Sequence, residues 1–102
     1  MGIDVRLETE GSRILDSVED GSNCIARFLP QLADKSFACI RFIDPYGETV
    51  FNGMQIDDFL EEWKRARPLA KTPSQEEAWM AVGRMASRCK DDVHLYLKFI
   101  GD

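Results

Sequence analysis

Four polar side chains crowd one short stretch of this chain. Asp44, Tyr46, Glu48 and Asn52 stand within FACIRFIDPYGETVFNGMQIDDFLEEW, which runs from Phe37 to Trp63. Two carboxyls, a phenol and an amide are groups that hold a small polar ligand or move a proton. His94 and Tyr96, on an alternating segment near the C-terminus, would join them if that segment neighbours Phe37–Ile43. The same residues have a plainer reading as turn chemistry. Asp44 and Asn52 then cap backbone N–H groups, and Tyr46 covers the turn.

The second feature is charge. From Asp44 to Glu62 there are six acids (Asp44, Glu48, Asp57, Asp58, Glu61 and Glu62) and no base. Such a patch suits a basic partner. It also suits a solvated helix face whose first turn is acidic, with Glu61 paired to Arg65 one turn on. Asp57 and Asp58 are adjacent on a helix, so they diverge and form no catalytic dyad. The pairs Asp57/Glu61 and Asp58/Glu62 share a face and would chelate a cation only weakly.

Other chemistries lack their residues. His94 is the one histidine, and a Cys89–His94 metal pair would need two further ligands. The chain has no G-x-S-x-G, glycine-rich phosphate loop, H-E-x-x-H or EF-hand spacing. We assign no catalytic residue, no metal ligand and no cofactor. Cys24, Cys39 and Cys89 are odd in number and form no C-x-x-C pair. They read as free, mostly buried thiols of a reducing cytosol.

The elements that must position these residues are legible from pattern. Phe37–Ile43 is a short apolar run of strand length. Asp44-Pro45-Tyr46-Gly47 fits a type I turn with Gly47 left-handed, and Glu48–Phe51 returns as a second strand, closing a central hairpin. Asn52 with Gln55 then caps a helix in which Ile56, Phe59, Leu60 and Trp63 share one face. On that reading Asp57, Asp58, Glu61 and Glu62 all lie away from the apolar face.

Around this centre, Ile3, Val5, Leu7 and Thr9 alternate with polar residues as a half-buried strand. Arg13–Glu19 is read as its hairpin partner, although Ile14, Leu15 and Val18 also permit a helical turn. Asp20-Gly21-Ser22-Asn23 is a turn. Ile25, Phe28, Leu29 and Leu32 follow at helical spacing, capped by Ser22 or Asn23. Pro30 either kinks that helix or starts its regular part. Thr72-Pro73-Ser74-Gln75 opens a long helix whose stripe is Ala78, Trp79, Val82, Met85, Ala86 and Cys89. Val93–Ile100 alternates as a last strand. It turns Val93, Leu95, Leu97 and Phe99 to the helices, and His94, Tyr96 and Lys98 to solvent with Arg6 and Glu8.

The string Ile43–Asn52, IDPYGETVFN, and the ending His94-x-Tyr96-Leu97-x-Phe99-Ile100-Gly101-Asp102 resemble a group of small uncharacterised bacterial proteins with a D-P-Y-G-D-T-V-F-N core. Glu48 departs from that core, which has Asp. The likeness covers about a fifth of the chain. It implies a bacterial cytosolic origin and carries no activity or site residue with it.

Composition sets the bounds. One hundred and two residues suit a single domain over 1–102. A hydrophobic share of 44% is enough for a core and argues against disorder. The net charge of −5 leaves no basic stripe for nucleic acid and disfavours anionic membranes. The start of the chain, Met1-Gly2-Ile3-Asp4-Val5, enters a strand pattern and not a signal peptide, so a cytoplasmic protein is expected. The expected fold is α+β: a mostly antiparallel sheet of about five strands, with about three helices largely on one face. The expected function is a non-catalytic acidic interaction domain for a basic protein. A toxin-neutralising immunity protein is its concrete form. A small-ligand domain on the hairpin face and a small enzyme are the alternatives, and homodimerisation through the sheet is compatible with all three.

Overall fold

The computed structural model describes residues 2–20 and 23–101. Strand β1 (Asp4–Thr9) and strand β2 (Ile14–Val18) form the expected N-terminal hairpin. Helix α1 (Cys24–Phe28) follows, then strand β3 (Glu48–Phe51), helix α2 (Ile56–Arg65), helix α3 (Pro73–Lys90) and strand β4 (Leu95–Ile100). The sheet is antiparallel throughout, in the order β2-β1-β4-β3. It has four strands where about five were expected, and the class is α+β.

The missing strand is Phe37–Ile43. Its residues Ile40–Phe42 form a 3-10 turn. Phe37, Ile40 and Ile43 are buried, a spacing of three that brings one side of a 3-10 segment to the core. Asp44–Gly47 therefore links that segment to edge strand β3 and is not the tip of a hairpin. Gly47 N–H still donates to Asp44 O at 3.4 Å, but no described glycine has positive φ, so the left-handed Gly47 is also corrected.

Ile3, Val5, Leu7, Leu95, Leu97 and Phe99 turn to the helices. Phe28, Phe51, Phe59, Trp63 and Phe99 make the aromatic centre, with Phe59 and Trp63 stacked at 5.2 Å. Asn52 and Gln55 form the reciprocal cap ahead of α2. Gln55 N–H donates to Asn52 Oδ1 at 3.1 Å, and Asn52 N–H donates to Gln55 Oε1 at 3.0 Å. Thr72 and Gln75 cap α3 as the sequence indicates, Gln75 N–H donating to Thr72 Oγ1 at 3.1 Å.

Helix α1 is short. Leu29, held extended ahead of Pro30, ends it. Asn23 carries no capping bond, and Gly21 and Ser22 lie outside the described residues, with Met1 and Asp102. The cap comes from Asp20, whose carboxylate accepts from Cys24 N–H at 2.6 Å and Ile25 N–H at 3.0 Å. Strand β4 begins at Leu95, two residues later than expected. Val93 and His94 sit in the preceding turn, where Asp92 Oδ1 accepts from His94 N–H, and Val93 is exposed and not part of the core.

Candidate functional site

The four polar residues of the Asp44–Asn52 stretch do separate work. Asp44 Oδ1 accepts from Tyr46 N–H at 2.8 Å, and Asp44 N–H donates to Thr49 Oγ1 at 2.9 Å. Tyr46 does not cover the turn; it is 71% exposed. Glu48 reaches across the sheet to Lys98 at 3.4 Å. Asn52 is committed to the helix cap.

His94 and Tyr96 do not join Asp44 and Tyr46. The Asp44–Gly47 turn packs on Gly101, just past one end of β4, and Gly101 N–H donates to Gly47 O at 2.7 Å. His94 precedes the other end. The six residues between span roughly 20 Å at about 3.3 Å per residue. Tyr46, Tyr96 and His94 therefore line no common pocket. His94 Nδ1 lies 2.9 Å from Glu10 Oε1. That hydrogen bond, and then the carboxylate's charge, raise the imidazole pKa from its ordinary value. Tyr96 lies opposite Glu8 on the open sheet face, where Lys98 bridges Glu8 at 3.9 Å and Glu48 at 3.4 Å. Glu8, expected in solvent, is buried in this row.

The acids of α2 divide into three fates. Asp57 is exposed and pairs with Lys90 at 3.4 Å. Glu62, expected on the solvated face, is only 5% exposed. Its carboxylate accepts from Cys39 N–H at 2.9 and 3.0 Å and from Ile40 N–H at 3.0 Å. It caps the 3-10 turn from another element, which explains why an acid is tolerated there. Asp58 and Glu61 remain exposed, with no ion pair among the described residues. Arg65, expected to pair with Glu61, donates to Ser36 O at 2.8 Å and covers the Phe37 ring.

Asp58 and Glu61 flank an open groove of about 590 Å³ between α2 and the 3-10 turn, with β3 beneath. Phe42, 54% exposed, and Val50, 47% exposed, also line it. Thr49 and Gln55 supply neutral polar groups. Arg65 also lines the groove, and the thiol of Cys39 stands beside its carboxylates. Burial, then the charges of Glu62 and Asp58, push Cys39 up to about 11, so it is a poor nucleophile. Phe42 and Val50 gave no functional signal in sequence, because neighbouring elements decide which apolar residues stay uncovered.

Among the described residues no group of three or more His, Cys, Asp or Glu is placed to hold a metal ion, and no helix is long and apolar enough to cross a membrane. No family model matches the chain, and neither the curated proteins nor the solved structures contain a match.

Proposed function

We propose that this protein is a non-catalytic interaction domain for a basic protein segment, seated in the groove between α2 and the 3-10 turn. A toxin-neutralising immunity protein is the concrete form of such a domain. The observation that carries the reading is the pairing of two unpaired carboxylates, Asp58 and Glu61, with exposed Phe42 and Val50 around one groove. Carboxylates at a rim select a basic partner and speed its approach, while apolar contact supplies affinity that survives salt. The other acids of the stretch are engaged within the fold. The thiols of Cys39 and Cys89, which form no disulfide, fit a reducing cytoplasm.

The test compares immobilised wild type with an Asp58→Lys, Glu61→Lys variant in lysate of the source cells. Both positions are exposed, so the variant keeps its fold. A basic protein held by wild type, lost from the variant and loosened by salt is the expected result. Equal retention by the variant, or binding indifferent to salt, removes the reading.

A further inference from the structure

A second groove, of about 630 Å³, runs between α2 and α3 on the other flank of α2. Leu60 and Lys64 stand one turn apart on its α2 side, and Met80 and Arg84 one turn apart on its α3 side. Trp63 and Trp79, the two tryptophans of the chain, lie between them. Their polar ends are already used: Trp63 Nε1–H donates to Trp79 O at 3.0 Å, and Trp79 Nε1–H donates to Trp63 O at 2.8 Å. Trp63 is buried, so the half-buried Trp79 is the indole that offers hydrocarbon, with no donor left unpaired. Gly83 lines the groove beside Trp63, where a Cβ would make an ordinary van der Waals contact at 3.8 Å with Trp63 Cδ1. Met80 is 44% exposed at the rim.

The charge of this groove opposes that of the chain. In a protein of net charge −5, its lining carries Lys64 and Arg84 and no acid. Among the described residues neither cation makes an ion pair, whereas Arg88 and Lys90 farther along α3 are paired with Asp16 and Asp57. Unpaired cations on both banks of an apolar trough between two helices complement a segment with apolar residues on one face and carboxylates beside them.

We propose that the α2–α3 groove is a docking site for an acidic amphipathic helix of a partner protein. The site is separate from the acidic groove and does not depend on the function assigned to it. Apolar side chains of the helix rest on Trp79, Met80 and Leu60, and its carboxylates meet Lys64 and Arg84.

Both tryptophans line the groove, so intrinsic fluorescence reads its occupancy. The probe is a tryptophan-free amphipathic peptide with leucines on one face and glutamates on the other, paired with a counterpart in which lysines replace the glutamates. Wild type, a Lys64→Glu, Arg84→Glu variant and a Gly83→Leu variant are titrated with both, with circular dichroism confirming each fold. The expected result is a saturable emission change with the glutamate peptide alone. It weakens at least about tenfold in the charge-reversed variant and is lost when leucine fills the groove. No saturable change, equal binding of the two peptides, or undiminished binding by the charge-reversed variant overturns the proposal. So does sedimentation showing copies of the chain associating through this face, with the charge-reversed variant monomeric.

Discussion

Trp63 and Trp79 exchange hydrogen bonds: each indole N–H donates to the other's backbone carbonyl, at 3.0 and 2.8 Å. The pair clamps α2 to α3 and fixes their relative axial position. Because Trp63 O also accepts from Ala66 N–H, Trp79→Phe removes one donor without orphaning that carbonyl. We expect a loss of about 1 kcal/mol for this variant. Trp63→Ala, which empties a fully buried site, should cost about 3–5 kcal/mol. Urea denaturation measures both, and equal losses would show that packing at Trp63 is not the larger contribution.

Glu62 supports a segment more than twenty residues away in sequence. Glu62→Ala leaves the N–H groups of Cys39 and Ile40 without their acceptor and should destabilise by about 2–3 kcal/mol. Glu62→Gln keeps one acceptor oxygen and should recover about half of that loss. Faster amide exchange at Cys39 and Ile40 in the alanine variant is the specific signature. Unchanged protection there would mean that the cap contributes little.

Asp20 gathers three backbone N–H groups from two segments at once. Its Oδ2 accepts from Ile3 N–H at 3.2 Å and Ile25 N–H at 3.0 Å, while Oδ1 accepts from Cys24 N–H. Asp20→Ala removes the cap of α1 and a tie to the start of β1, at a cost of about 2–3 kcal/mol. The exposed neighbour Glu19 serves as control, and Glu19→Ala should shift stability by less than about 0.5 kcal/mol. A thermal melt in which the two variants coincide would contradict this account.

His94 titrates above its ordinary value because Glu10 hydrogen-bonds to it and holds it protonated. The sign follows from linkage. A raised folded pKa adds stability that is fully present below the unfolded value of about 6.5 and is lost as pH rises through the folded value. Glu10→Gln should return the midpoint of this single imidazole toward 6.5, as followed by proton NMR. A midpoint that does not move would remove Glu10 as the cause.

Local pattern alone located β1, β2, the β4 alternation, the Asn52–Gln55 capping box, the Thr72 cap and the apolar stripes of α2 and α3. Each rests on residues within a few positions of one another: period two, period three to four, or an Asn–Gln or Thr–Gln pair three apart. The fate of Phe37–Ile43 was of another kind. Its apolar run suits a strand, yet it pairs with no strand: Glu62, from a helix that follows it in the chain, accepts from the N–H groups of Cys39 and Ile40, and those of Arg41, Phe42 and Ile43 donate to carbonyls of the segment itself. The same distance effect divided the acids. Asp57, Asp58, Glu61 and Glu62 look alike in sequence, but Lys90 pairs with Asp57 and the 3-10 turn buries Glu62, leaving Asp58 and Glu61 at the groove. Apart from Phe37–Ile43, composition and spacing determined which segments are helices and strands, because backbone propensity and amphipathic period are local. Which polar side chains serve the fold and which face a partner was decided only when segments far apart in sequence came into contact. Burial and hydrogen bonding depend on what packs alongside.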